Sequence, residues 1–455
     1  MTQFLVSILA FIVAIGLLVA VHEFGHFWVA RRLGVKVLRF SIGFGRPILR
    51  WRRKNDPTEY VIAALPLGGY VRMLDEREGE VDPAEQHLAF NRKGVWSRIA
   101  IVAAGPAFNF LFALVAYWLM FMVGVNGIKP YVDDPPPASP AYEAGLQAGD
   151  RIVAVAGRET PDWEAVRMRL LEHSLDHNAV QLSVADDGGR GRTLTLDFGA
   201  QPLLKEEGDF IERLGLISWR PYIPVVAKVT PGGAAERAGI QDGDWVMAVD
   251  GREGLTAQEF VKILQASPER ELDLVVERDG RRQTLTLRPD AREVDGQVQG
   301  FINAAIGGTL READREKLAA TITHGPIASI GESIAKTGDV TLLTLRLMGK
   351  LVTGDASLKN VSGPITIADY AGLSALVGLA AFLYFLAMVS ISLGIINLLP
   401  VPILDGGHLL YYVIELIKGS PLSEAAQALG QRIGLAMLAG LMMLAIYNDL
   451  TRLFS

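Results

Sequence analysis

The chain has 455 residues, half of them hydrophobic, with a formal charge of -6 and no cysteine. That length suggests about three domains, and the positive mean hydropathy is too apolar for an ordinary soluble enzyme. The Lys and Arg residues form no long block, so nothing calls for a nucleic-acid partner. Without thiolates, any transition metal must be held by His, Asp or Glu.

The first apolar run, residues 4–30, can cross a bilayer, for which about 20 apolar residues suffice, yet it contains His22, Glu23 and His26. It lacks the basic leader and small-residue cleavage pattern of a signal peptide and reads as a retained helix. His22-Glu23-Phe24-Gly25-His26 is an H-E-x-x-H motif. Positions i and i+4 share a helix face, so two imidazoles can bind one metal. Glu23, one residue along, is placed as general base toward a water acidified by that metal, with zinc expected. Five residues can match by chance, but ionisable groups inside a span are costly and usually functional.

Arg31, Arg32, Lys36 and Arg39 follow this run, and Arg92, Lys93 and Arg98 precede the second, residues 98–125. The basic excess makes segment 31–97 cytoplasmic and residues 126 to about 370 external. Within the cytoplasmic segment, residues 60–73 form two strand-like runs about Pro66 and the Gly68-Gly69 turn.

The external region repeats itself. Ala144-Gly145-Leu146-Gln147-Ala148-Gly149-Asp150 returns as Ala238-Gly239-Ile240-Gln241-Asp242-Gly243-Asp244, and Thr-Leu-Thr-Leu occurs at 193–196 and 284–287. Such a period predicts two copies of one small β-rich domain, at 126–212 and 213–300. Residues 310–360 mix charge with apolar stretches and predict an amphipathic interfacial helix.

A third span is expected at 372–400 and a fourth at 430–449, with 401–429 between them as a cytoplasmic loop. The third ends in Asn397-Leu398-Leu399-Pro400-Val401-Pro402-Ile403-Leu404-Asp405-Gly406-Gly407-His408. Two prolines break a helix, and such backbone survives at membrane depth only when buried or facing a water-filled cavity. A third metal ligand should lie near this end, where Asp405 stands, although a lone Asp at a helix end is more often a cap or interface residue. The expected fold is therefore a multi-domain membrane protein, a four-span α-helical core with tandem β-rich domains between spans two and three.

The Ala-Gly-(Leu/Ile)-x-x-Gly-Asp signature resembles circularly permuted PDZ domains. That resemblance implies peptide C-termini as ligands and a carboxylate-binding loop at Leu214-Gly215-Leu216-Ile217 for the second copy, with Asn126-Gly127-Ile128 for the first. H-E-x-x-H in one span and Asn-x-x-Pro-x-Pro-x-Leu-Asp-Gly in a later one resemble the site-2 protease family of intramembrane zinc proteases. The resemblance implies zinc held by His22, His26 and Asp405, with Asn397 and the hairpin at Gly68 and Gly69 positioning substrate. It further implies single-span membrane substrates, an anti-sigma factor cut after a first external cleavage, and remnant signal peptides. The site would lie near the cytoplasmic face of a bacterial inner membrane, with the repeated domains in the periplasm.

Overall fold

The computed structural model describes residues 2–454 apart from 55, 187, 200–204, 206–208, 220 and 295–296. Four helices are long and apolar enough to cross a membrane, within Thr2–Arg32, Val95–Val123, Leu379–Leu398 and Glu424–Phe454. The second packs against both the first and the third. Its contact with the first depends on small residues: a Cβ on Gly25 would lie 2.4 Å from the Ala104 carbonyl oxygen. With the third span it forms an apolar core of Ala113, Ala116, Tyr117 and Met120 against Ala387, Ile391 and Ile395.

The run expected as one span at 372–400 is two helices. Pro364–Val377 ends at Gly378, whose φ of +134° favours glycine and interrupts the helix. This shorter helix packs along the first span. Its N-terminus is capped from the fourth span, because Asp449 accepts hydrogen bonds from the backbone N–H groups of Gly363 (2.9 Å) and Ile365 (2.8 Å). Unpaired N–H groups at a helix start otherwise need such an acceptor.

Between spans one and two lie the long strands Val37–Arg52 and Glu59–Met73, antiparallel and interrupted by bulges. Residues 39–42 pair with 59–62 on one side and 69–72 on the other, while 47–52 pair with 59–63. The expected hairpin at 60–73 is thus half of a larger folded-over sheet, whose other half the alternation at 37–52 did not announce. Asp56 ties this sheet to the first span, accepting from Arg31 Nη1 (2.7 Å) and the Tyr60 hydroxyl (2.9 Å). Burial opposes charge on Asp56, but these donors and the Thr58 N–H hold its carboxyl well below the usual range.

Two β-rich units with the same order of elements follow the second span. In the first, strands at 158–159, 151–155, 179–185 and 191–197 lie side by side with the helix Trp163–Ser174. In the second, strands at 281–287, 272–278, 245–249, 223–229 and 304–309 form the sheet, with the helix Ala257–Gln265. The repeated Gly-Asp has one job in both. Asp150 accepts from the Gln147 N–H and pairs with Arg192, and Asp244 accepts from the Gln241 N–H and pairs with Arg278.

The boundaries differ from those expected. Leu214 and Leu216 are buried in the core of the first unit, not the second, and Leu214 O accepts from the Ala141 N–H. The equivalent contact in the second unit is Ile302 O with the Ala235 N–H, so that unit continues through Thr309. The closing segment follows the repeated core in each copy, and dividing the chain before Leu214 assigned it to the wrong unit. Asn126-Gly127-Ile128 forms no loop of either unit. It is a strand paired with Ala319–Ile322, joining the chain where it enters and leaves the repeat.

Within residues 310–360, the helix Pro326–Thr353 buries Ser329, Ser333 and Thr337 while Ile327, Ile330 and Ile334 face outward. Exposed apolar side chains in a row need a covering of lipid or protein. Ion pairs Arg169–Asp339 (3.0 Å) and Lys336–Glu164 (2.9 Å) hold the first unit against this helix.

Candidate metal centre

The broken segment after the third span brings its end back to the first. Gly406 and Gly407 make the fold-back possible: a Cβ on Gly406 would lie 2.2 Å from the Leu399 carbonyl oxygen, and one on Gly407 2.4 Å from Pro402 Cα. Asp405 then opens the helix Asp405–Lys418, at a terminus whose dipole favours a negative charge. From across the break, Gly434 of the fourth span packs on Pro402 and Ile403.

At this point His22, His26 and Asp405 converge, with one ligand atom from each within 4.8 Å of the others. Asp405 Oδ2 lies 3.2 Å from His22 Nε2 and 3.4 Å from His26 Nε2, and the two Nε2 atoms are 3.2 Å apart. Two zinc ligands at bond lengths of about 2.0–2.1 Å in a tetrahedron stand about 3.3 Å apart, so the triangle has the size of one tetrahedral face. Its chemistry agrees. His26 Nδ1 donates to the Ile101 carbonyl oxygen at 2.8 Å, leaving an Nε2 lone pair, and Asp405 Oδ2 is buried without a hydrogen-bond partner. Acceptors gathered without donors are costly unless a cation joins them. Among the described residues, this is the one His, Asp and Glu cluster with metal-holding geometry.

Glu23, one residue beyond His22, borders a cavity of about 330 Å³ shared with the three ligand candidates, Gly69, Tyr70, Val71, Met73, Asn397 and Leu404. The sheet closes one wall: a Cβ on Gly69 would lie 2.9 Å from Glu23 Cγ. Gly69 and Asn397 thus share the cavity. Gly68 does not border it and instead faces Phe44, whose ring a Cβ would meet at 2.3 Å. Leu214, Gly215, Leu216 and Ile217 are far from this site in the fold, inside the first β-rich unit. His408 stands outside the ligand cluster, with its ring edge-on to Tyr411 at 6.1 Å.

The second span contributes what sequence inspection missed. Ile101 supplies a carbonyl to His26, Gly105 leaves room beneath both rings, and Asn109 lies 3.2 Å from His22 Nδ1. A Gly and an Asn four residues apart in an apolar run were the available signal.

The profile described as Peptidase family M50 matches residues 10–441. The chain is 45% identical over 456 residues to the regulator of sigma-E protease RseP of Escherichia coli K12, and 45% identical over 464 residues to a putative zinc metalloprotease of Vibrio cholerae. It is 46% identical over 457 residues to protease RseP of Yersinia pestis, and 100% of both chains is covered in all three comparisons. A motif-bearing apolar helix, a ligand triangle sized for zinc and full-length similarity to zinc peptidases agree, and the chain belongs to Peptidase family M50, as a zinc-dependent membrane metalloprotease of the site-2 type.

Proposed function

We propose that His22, His26 and Asp405 hold the zinc and that Glu23 is the general base of peptide-bond hydrolysis inside the membrane. The observation carrying this reading is the acceptor triangle, with Glu23 beside it in the same cavity. Zinc bound there supplies Lewis acidity to the scissile carbonyl and lowers the pKa of a water. Glu23 takes the proton from that water and returns it to the leaving amine. Asn397 faces the substrate from the third span, and its amide can hold a peptide carbonyl.

A helical substrate hides its carbonyls in its own hydrogen bonds, so it must be extended before it can be cut. Gly69, Tyr70, Val71 and Met73 border the cavity, and among the described residues 69–73 pair only with 37–42. Strand addition along this edge holds the unwound segment in reach of Glu23.

The two external units read as permuted PDZ domains, able to bind peptide C-termini or to exclude bulky external domains. In this reading the chain sits in the bacterial inner membrane with its site toward the cytoplasm and both units in the periplasm. The names of its relatives support a place in sigma-E regulation, with a pre-cut anti-sigma factor as substrate and remnant signal peptides as further ones. The test is cleavage of a single-span substrate shortened on its external side by purified wild type and by Glu23→Gln. In-span cleavage by wild type alone, with zinc in both proteins, supports the assignment; cleavage by both removes Glu23 from the chemistry.

A further inference from the structure

The second span runs antiparallel to the first beneath the two histidines, and three of its positions, each four apart, meet them in turn. Ile101 O accepts from His26 Nδ1 at 2.8 Å. At Gly105 a Cβ would lie 2.3 Å from His26 Nε2 and 2.7 Å from His22 Cε1. The Asn109 amide nitrogen, Nδ2, lies 3.2 Å from His22 Nδ1. Residues at i, i+4 and i+8 form one stripe on a helix, so this stripe is the seat of both rings.

The two seats differ in kind. His26 rests on a backbone carbonyl, which any residue supplies, whereas His22 depends on a side chain. Asn109 is fully buried, and its Oδ1 has no hydrogen-bond partner. Its own backbone carbonyl accepts from Ser390 Oγ at 2.8 Å, fixing it between the second and third spans. A neutral imidazole that offers Nε2 to a metal carries its proton on Nδ1 and needs an acceptor there. A half-turn of the Asn109 amide exchanges its oxygen and nitrogen within the same volume and gives the unpartnered Oδ1 a donor.

We infer that Asn109 is the positioning residue for His22: its side-chain oxygen accepts the Nδ1–H and fixes the tautomer that presents Nε2 to the zinc. This rests on the assignment of His22 as a ligand. Removing such a partner of a metal-bound His weakens metal binding by about 10–100-fold. The amide at 109 is therefore a determinant of zinc retention, separate from the peptide-cutting step.

The experiment is zinc affinity of the purified full-length protein, read by competition with a chelator, for wild type, Asn109→Leu, Asn109→Asp and Ser390→Ala. Asn109→Leu keeps the volume without an acceptor and is expected to lose zinc about 10–100-fold more readily. Asn109→Asp keeps an acceptor and is expected to retain it, as is Ser390→Ala, which loosens the same helix contact but leaves the amide. Asn109→Ala repeats the first arm should Leu disturb folding. Wild-type affinity in both Leu and Ala variants overturns the inference, as does equal loss in Leu and Asp, which would make the role one of packing. A wild-type protein that holds no zinc overturns the ligand assignment itself, an outcome distinct from any difference among the variants.

Discussion

Asp405, beside the spanning helices, and the buried aspartates of the two β-rich units are held in opposite ways. Asp150 and Asp244 each have an arginine and a backbone N–H, so their charges are used up in holding a turn against a strand. Asp405 has an oxygen with no donor and two imidazoles turned toward it. A buried charge must be paired; where the protein itself completes the pairing the group is structural, and where it stops short the group is there for a ligand. Asp449, buried near the end of the last helix with its backbone and hydroxyl donors, shows that burial among the spans does not by itself mark a functional group.

Substitutions break this comparison in order of size. Asp405→Ala or His22→Ala is expected to abolish both zinc binding and cleavage, as metal analysis and an in-span cleavage assay would read. Glu23→Gln should lose about 10²–10⁴-fold in rate while keeping its zinc. Asp244→Ala removes the acceptor shared by Arg278 and the Gln241 N–H and should destabilise the second unit by about 1.5–3 kcal/mol, seen as earlier proteolysis of that unit, with zinc content unchanged.

The same pair gives a pH signature. Burial alone would raise the Asp244 carboxyl, but Arg278 and the Gln241 N–H bring it below its ordinary value. A depressed folded-state pKa stabilises above the unfolded value, about 3.9, and this contribution disappears as pH falls through the folded value. Protection of the second unit from hydrogen exchange, relative to the intrinsic rate at each pH, should therefore fall below about pH 4, and Asp244→Asn should flatten that dependence. The smallest effect is expected at Glu164, which joins the first unit to Lys336 and to the Tyr384 hydroxyl. Such exposed pairs contribute at most about 1 kcal/mol. Glu164→Gln should loosen the helix Trp163–Ser174 in hydrogen exchange without altering zinc content.

The apolar runs and the shared face of His22 and His26 were legible because apolar length and i, i+4 spacing are local signals, whereas the break at Gly378 was not. Asp405 needed family resemblance, since its partners are hundreds of residues away and only the fold-back at Gly406-Gly407 unites them. The repeat was visible in sequence, yet the segment that closes each copy was not, because Leu214 and Ile302 lie outside the repeated words. Ile101 acts through its backbone, so no side-chain pattern could have revealed it. Asn109 was signalled only by its polarity, four residues after Gly105 in an apolar run.

X-ray absorption at the zinc edge, compared between wild type and Asp405→Ala, tests the account most directly. The account predicts light-atom neighbours at about 2.0–2.1 Å with the signature of two imidazoles in wild type, and loss of bound zinc or of one oxygen neighbour in the variant. Wild-type coordination persisting in Asp405→Ala would contradict it.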